Sequence, residues 1–201
     1  MVTVVIPFAG EQGKTRLHSS ARIRRALARA MFRDVLAASV LVGRTRVVTP
    51  DEEAATAARD AGAEAVADPG GGQGAAVQAG LQGVELGGIL VVNADVPCVV
   101  PDDLRSLLAA TPAGCLALVE ALDGTTNALS LPSADAFAPL YGPGSSDRFR
   151  AHAASLGLEA VSVAVPNLAD DVDTMEDLTR LQLRAGPRTQ ACLLELERSV
   201  A

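Results

Sequence analysis

Aromatic residues are scarce in this sequence, since Phe, Trp and Tyr together make up 2% of its 201 residues. The apolar fraction of 49% is still that of a globular protein, so the core must be built from Ala, Val and Leu. No apolar run approaches the ~20 residues that a membrane-spanning helix needs. The first apolar run follows no basic segment, so it predicts a first strand and not a signal peptide.

Cysteine is also scarce, and Cys98, Cys115 and Cys192 form no CxxC pair. An odd number of scattered cysteines favours reduced thiols, so we expect a cytoplasmic protein. The net charge of −7 argues against general nucleic-acid binding, and a homo-oligomer remains compatible with the sequence. Lysine occurs once, as Lys14, against sixteen arginines. This usage suggests that a compact ammonium group is required at that position.

Strands and helices alternate in the first half of the chain, which predicts a parallel sheet with helices on both faces. We expect strands at 2–6, 46–49, 65–67, 89–92, 116–119, 128–131 and 160–165. We expect helices at 22–41, 50–61, 75–85, 101–108, 147–155 and 175–183, and a short one after Gly186. The pattern after Leu116 is less regular and could add an antiparallel element. Residues 1–201 show no linker, repeat or second core, so we expect a single domain.

The central apolar run Ile89–Val92 is followed by Asp95 and then by Pro97, which cannot extend a central strand. Open α/β sheets bind their ligands beyond the carboxyl ends of the strands, so Asp95 stands where a ligand is expected. An Asp-x-Pro sequence is also common in turns and helix caps. A functional role for Asp95 therefore depends on whether other segments converge on it.

Two glycine-bearing loops follow predicted strands. The first resembles a Walker A loop at Gly10–Thr15, but that motif requires glycine where this chain has Phe8, so a P-loop NTPase is not supported. Its glycine backbone, Lys14 and Arg16 could still bind an anion. The second loop contains Gly70–Gly72, and it could hold a flat ligand or serve only as a flexible connection.

A second acidic pair, Asp171 and Asp173, lies between a predicted strand and a helix. These acids could cap the helix. If the preceding strand were the neighbour of the central strand, Asp173 would face Asp95, and two carboxylates would then suit Mg²⁺. His18 and His152 show no spacing typical of metal ligands, and no serine–histidine–acid set can be assembled.

Six motifs occur in one order along nearly the whole chain, and together they resemble the 2-phospho-L-lactate guanylyltransferase family, whose actinobacterial members use phosphoenolpyruvate. The family makes a guanylated intermediate in coenzyme F-420 biosynthesis. The motifs are Val4–Phe8 leading to Lys14–Leu17, Asp68–Gly72, Asn93–Pro97, Thr126–Leu129, Tyr141–Ser145 and Asp171–Thr174.

The resemblance implies a three-layer α/β/α, Rossmann-like nucleotidyltransferase (GT-A-like) fold with a mostly parallel central sheet. It implies GTP as co-substrate, Mg²⁺ as cofactor, a phosphorylated three-carbon acid as acceptor, and no membrane or nucleic-acid partner. The catalytic residues would be Lys14, Arg16, Asp95 and Asp173, of which Asp95 and Asp173 would bind the metal. The nucleotide would contact Pro7, Gly10, Lys14, Gly71, Gly72 and Gly74, and the acceptor would contact Thr126, Asn127, Gly142 and Ser145.

One segment departs from the family, which usually has Gly-Leu-Asn where this chain has Gly72-Gln73-Gly74. A catalytically silent nucleotide-binding regulatory protein is therefore one alternative. Another is a related nucleotidyltransferase acting on a molybdopterin or sugar phosphate, although those usually have Leu-Ala-Gly-Gly where this chain has Pro7–Gly10. The sequence leaves the acceptor open among phosphoenolpyruvate, 2-phospholactate and 3-phosphoglycerate, and the second metal ligand open between Asp171 and Asp173.

Overall fold

A computed structural model describes residues 2–10, 20–85 and 87–200. Its strands are β1 (Val2–Pro7), β2 (Arg44–Thr49), β3 (Glu64–Ala67), β4 (Gly88–Val92), β5 (Leu116–Glu120), β6 (Thr126–Leu131) and β7 (Ala160–Ser162). Its α-helices are α1 (Ala21–Ser39), α2 (Glu52–Asp60), α3 (Gln73–Leu81), α4 (Pro101–Ala110), α5 (Ser145–Ser155), α6 (Pro166–Ala169), α7 (Met175–Leu181) and α8 (Pro187–Val200). None of the helices in these ranges is long and apolar enough to cross a membrane.

The seven strands form one sheet in the order β3-β2-β1-β4-β6-β5-β7. All neighbouring strands are parallel except β6, which is antiparallel to both β4 and β5. The mostly parallel sheet and the antiparallel element after Leu116 are therefore confirmed. Because β6 runs in the opposite direction, its first residues, Thr126 and Asn127, lie at the sheet edge where β1 and β4 end.

Helices cover both faces of the sheet, because the side chains of its central strands alternate between two apolar clusters. Val4 and Ile6 of β1 belong to the cluster that includes side chains of α1, α2, α4 and α6. Val5 between them belongs to the cluster that includes side chains of α3 and α5. All three of these side chains are completely buried. This arrangement confirms the three-layer α/β/α fold.

A buried acid fixes the C-terminal helix α8 against α1. Asp34 of α1 accepts hydrogen bonds from the backbone N–H groups of Arg188 (3.1 Å) and Thr189 (2.9 Å), and from Thr189 Oγ1 (2.7 Å). The first N–H groups of a helix have no partner inside the helix, so Asp34 satisfies two of them from a different element. Helix α8 has 14 residues, whereas the sequence predicted only a short helix there.

Several element boundaries differ from the prediction, and the differences at β7, α3 and α7 are the ones nearest the site. Strand β7 ends at Ser162 and not at Val165, because Val163 makes the last hydrogen bond to β5 and Pro166 then opens α6. Helix α3 begins two residues early, at Gln73, and the chain leaves it before Gly83, whose φ is +70°. Helix α7 ends at Leu181, and Leu183, which was expected to be its last residue, is 89% exposed.

Candidate active site

A cavity of about 520 Å³ lies over the carboxyl ends of β1, β3 and β4. Its size falls within the range typical of small-molecule sites, roughly 300–1,000 Å³. The near wall of this cavity is the segment from Pro7 to Gly10, and its far wall is the turn from Gly70 to Gly72. Asp95 also lines the cavity. The cavity therefore occupies the position where open α/β sheets bind nucleotides.

The turn on the far wall depends on glycine at three consecutive positions. The φ angles of Gly70, Gly71 and Gly72 are +77°, +86° and +91°, a region that other L residues rarely adopt. Asp68 stabilises the turn, since its Oδ1 accepts a hydrogen bond of 2.7 Å from the N–H of Gly70. The bare backbone of this turn leads directly into α3 at Gln73.

The near wall is held by a charged cluster behind it. Asp51 caps α2 and accepts two hydrogen bonds of 3.0 Å from Arg29, whose guanidinium also pairs with Glu53. Burial alone would raise the pKa of Asp51, but the hydrogen bonds from Arg29 and from the helix backbone hold it below its usual range. A Cβ at Gly10, whose φ is +65°, would come within 3.3 Å of Asp51 Oδ2. Gly10 therefore lets the first loop begin close against this cluster.

A second cavity of about 400 Å³ adjoins the first one. It is bounded by the start of β6, by the loop that precedes α5, and by the segment between α6 and α7. Arg148 of α5 holds that loop, since its guanidinium donates to the backbone carbonyls of Leu140, Tyr141 and Pro143. Burial raises the pKa of Tyr141 above its usual range.

Three carboxylates meet in the second cavity. Ligand atoms from Asp95, Asp171 and Asp173 lie within 4.8 Å of one another, and each residue is half-buried. The sequence left open whether Asp171 or Asp173 would join Asp95, and the structure brings both to it. The premise of that prediction was wrong, because β7 lies at the far edge of the sheet, separated from β4 by β5 and β6.

The acids come together because the chain returns across the sheet after β7. At the end of this return the N–H of Val172 donates to the backbone carbonyl of Asp95 at 3.0 Å. Asp170 is 14% exposed and pairs with Arg180 (2.7 Å) and Arg184 (2.9 Å), so it anchors the segment. Hydrogen bonds inside the protein thus fix Asp171 and Asp173 beside the end of the central strand.

Helix α7 is capped by residues other than the two acids that could have capped it. Thr174 Oγ1 accepts from the N–H of Asp177, and the Asp177 carboxylate accepts from the N–H groups of Asp173 and Thr174. Burial alone would raise the pKa of Asp177, but the hydrogen bonds from Thr174 hold it below its usual range. Thr174 and Asp177 thus form the capping box of α7.

Carboxamide side chains connect the two cavities. Gln73 Nε2 donates to Asn93 Oδ1 at 2.6 Å, and Asn93 Nδ2 donates to Asn127 Oδ1 at 3.3 Å and to the carbonyl of Thr126 at 3.2 Å. Asn127 Nδ2 in turn donates to the carbonyl of Ala169 at 3.3 Å. Sequence reasoning assigned no role to Gln73 or Asn93. The available signal was a polar residue in a glycine turn and an amide two residues before Asp95.

Three hydroxyl groups form a buried chain at the start of β6. Ser146 Oγ donates its only hydrogen to the carbonyl of Thr125 at 2.8 Å. In the contact of 3.1 Å between Ser146 Oγ and Thr126 Oγ1, the donor must therefore be Thr126. Ser145 Oγ then donates to Thr126 Oγ1 at 3.2 Å. Ser145 is the end of this chain, so its hydroxyl can turn to another acceptor without breaking the other two hydrogen bonds.

The predicted site residues divide between the two cavities. The first cavity is lined by Pro7, Gly10, Gly71, Gly72 and Asp95. The second is lined by Asp95, Thr126, Asn127, Gly142, Ser145 and Asp173. Gly74 lines neither of them, because it lies in α3 with Pro139 against it. Lys14 and Arg16 lie outside the described residues.

Comparisons with known proteins agree with this geometry. The MobA-like NTP transferase domain family matches residues 10–177. The chain is 35% identical over 212 residues to a phosphoenolpyruvate guanylyltransferase of Streptomyces scabiei, covering 98% of this chain and 96% of that protein.

Two solved structures show the same fold. One, from Desulfovibrio desulfuricans G20, is provisionally described as a nucleotide-diphospho-sugar transferase; its TM-score is 0.75 at 17% identity, and the match covers 98% of this chain and 95% of that one. The other is a glucosyl-3-phosphoglycerate synthase of Mycobacterium tuberculosis, solved with Mn²⁺, UDP and glucosyl-3-phosphoglycerate. Its TM-score is 0.56 at 16% identity, and the match covers 82% of this chain and 70% of that one.

The fold and the matched domain define the chain as a nucleotidyltransferase with a MobA-like NTP transferase domain. Within that class it belongs to the family of the phosphoenolpyruvate guanylyltransferases.

Proposed function

We propose that the chain transfers GMP from GTP to the phosphate of phosphoenolpyruvate, or of the closely similar 2-phospho-L-lactate, and releases pyrophosphate. The observation that carries the proposal is the meeting of two ligand-sized cavities at three carboxylates on the carboxyl edge of the sheet. The name of the relative from Streptomyces scabiei supports the choice of donor and acceptor. The family resemblance supports a place in coenzyme F-420 biosynthesis. We propose that residues 1–201 form one catalytic domain.

The first cavity suits the nucleotide. Its glycine turn offers bare backbone to a flat base, and its near wall leads into the loop with Lys14 and Arg16, which we propose to meet the triphosphate. The second cavity suits the smaller acid. There Ser145 can turn its hydroxyl from Thr126 toward a phosphate or carboxylate oxygen, and the backbone of Gly142 lies in the same wall.

Asp95, Asp171 and Asp173 fit a divalent cation, because they offer three carboxylate oxygens, one from each residue, within 4.8 Å of one another, and Mg²⁺ prefers hard oxygen ligands. We propose Mg²⁺ at Asp95 and Asp173, with Asp171 as a further ligand. A bound Mg²⁺ would neutralise charge on the phosphates as it develops. The presence of Mn²⁺ with UDP in the glucosyl-3-phosphoglycerate synthase of the same fold supports a divalent metal.

The reaction requires no general base. The second pKa of a phosphomonoester is about 6, so the attacking oxygen is already deprotonated at neutral pH. That oxygen forms a bond to the α-phosphorus, and the bond from this phosphorus to the bridging β-phosphate oxygen breaks, so pyrophosphate leaves with the electron pair. Among the described residues, no histidine or cysteine lines either cavity, in agreement with a mechanism of positioning and charge neutralisation.

The test is pyrophosphate release with GTP or ATP and each of phosphoenolpyruvate, 2-phospholactate and 3-phosphoglycerate, with and without Mg²⁺. We expect release with GTP and one of the first two acids, only when Mg²⁺ is present. Asp95→Asn should remove most of the turnover and leave the melting temperature nearly unchanged. The matched control is Asp102→Asn, an acid on α4 whose side chain is 86% exposed. No release with any pair of substrates would overturn the proposal.

A further inference from the structure

The two cavities share three lining residues, Gln73, Asn93 and Asp95. If one cavity holds the nucleotide and the other the acid, the new bond must form where the cavities adjoin. The α-phosphorus must therefore lie beside these three side chains. Asp95 already has a proposed role at this boundary, whereas Gln73 and Asn93 have none.

The direction of the hydrogen bonds between the carboxamides is fixed by the backbone. The carbonyls of Ala169 and Thr126 can only accept, so the NH₂ groups of Asn127 and Asn93 must face them. Asn93 Oδ1 is consequently left to accept from Gln73, as the contact of 2.6 Å shows. Aligned amides polarise one another, which strengthens each N–H as a donor.

Gln73 is held in place although its side chain is exposed. It is the first residue of α3, directly after the three glycines with positive φ, and its Nε2 is tied to Asn93. Asn93 is fixed through its backbone as well, because its N–H donates to the carbonyl of Asn127 at 2.9 Å. The carboxamide nitrogen of Gln73 carries two N–H groups, and the hydrogen bond to Asn93 Oδ1 uses one of them.

We propose that Gln73 is a catalytic residue whose second N–H donates to a non-bridging oxygen of the α-phosphate during GMP transfer. Asn93 and Asn127 are positioning residues that hold this donor in place. The inference rests on the proposed function and adds to it the group that stabilises charge at the reacting phosphorus. A fixed donor aimed at developing charge lowers the barrier because it needs no reorganisation during the reaction.

The test replaces Gln73 by Met, which is similar in length and helix propensity but cannot donate a hydrogen bond. We expect kcat to fall about 10- to 100-fold, which is the range for one hydrogen bond to a charged group, while KM for either substrate changes less than about threefold, the pattern of an interaction made mainly in the transition state. Gln78→Met is the matched control, because Gln78 is exposed on the same helix and lines neither cavity.

A second measurement separates a contact with the phosphate from a general effect on structure. The two diastereomers of guanosine 5′-O-(1-thiotriphosphate) replace one or the other non-bridging α-oxygen by sulfur, a weaker acceptor. The ratio of wild-type to Gln73→Met activity should shrink with one diastereomer and persist with the other. Thio effects on the metal occur in both proteins and cancel in this ratio.

Equal ratios for both diastereomers, or a Gln73→Met variant as active as Gln78→Met, would overturn the inference and leave the proposed function intact. A wild-type chain that releases no pyrophosphate with any pair of substrates would overturn both. The two failures are distinguished by the wild-type rate alone.

Discussion

Replacing Gly74 by Ala should destabilise the protein, although helix propensity predicts the opposite. Gly74 is the second residue of α3, and alanine in a helix is favoured over glycine by about 1 kcal/mol. A Cβ at Gly74, however, would come within 2.5 Å of Pro139 Cβ and 2.8 Å of Pro139 Cα. Contacts this short include backbone, so the helix or the segment around Pro139 would have to move.

The magnitude follows from two opposing effects. Overpacking of this kind costs roughly 1–3 kcal/mol, and the gain in helix propensity offsets about 1 kcal/mol of it. We expect a net loss of about 1 kcal/mol in the free energy of unfolding, or a fall of roughly 2–4 °C in melting temperature for a chain of this size. The displaced segment leads into the loop that lines the second cavity, so KM for the acid should also rise while KM for GTP stays unchanged.

The assay is urea unfolding of the wild type, Gly74→Ala and Gln78→Ala. Gln78→Ala reports the effect of propensity alone, since Gln78 is exposed on the same helix. A Gly74→Ala protein that is more stable than the wild type by about 0.5–1 kcal/mol, as propensity alone predicts, would show that α3 and Pro139 do not approach this closely. The same contact predicts that the Asn usual in the family at this position is not tolerated here.

Three further predictions concern the surroundings of the site. Arg148→Lys should raise KM for the acid about 10-fold in steady-state kinetics and leave KM for GTP unchanged, because a compact ammonium lacks the planar fork with which the guanidinium reaches the carbonyls of three residues. Arg150→Lys on the same helix is the control. Asp34→Ala should lower the free energy of unfolding in urea by roughly 1–3 kcal/mol for each buried donor at the start of α8 that it leaves without an acceptor. The pKa of Asp51 is depressed in the folded state, so its stabilising contribution is present above the unfolded pKa of about 4 and is lost as pH falls through the folded value. The stability of Arg29→Gln should therefore fall less steeply with pH in acid than that of the wild type, and equal slopes would contradict this reasoning.

The sheet could be predicted from the sequence because its information is local. Runs of β-branched residues and the glycines and prolines between them locate the strands, and their alternation with helices indicates parallel pairing. The position of β6 between β4 and β5 could not be derived in this way. It depends on which buried surfaces pair over long separations, for which residues such as Ala128 and Leu129 carry no distinguishing pattern.

Site residues could be predicted from the sequence where they directly follow a strand. They could not be predicted where their role depends on contacts between elements that are distant in the sequence. Asp95 was found because it follows the central strand, and its acidic partners were found for a reason that proved wrong, since β7 is an edge strand. Gln73 was missed because its relation to Asn93 exists only after α3 and β4 are packed. Gly74 was placed with the nucleotide by the family resemblance, whereas the structure has it inside α3.

The three glycines with positive φ affect how a mutational scan of this protein would be interpreted. A Cβ at Gly70 or Gly72 would meet nothing within 4 Å, so space does not exclude a side chain there. The positive φ does disfavour it, since such backbone conformations cost a residue that carries a side chain roughly 1–3 kcal/mol. Intolerance to substitution across residues 70–72 would therefore record backbone conformation, and it would look the same with or without a bound nucleotide. Gln73 has an ordinary helical backbone, so the effect of substitutions there depends on the contacts of its side chain and not on backbone conformation.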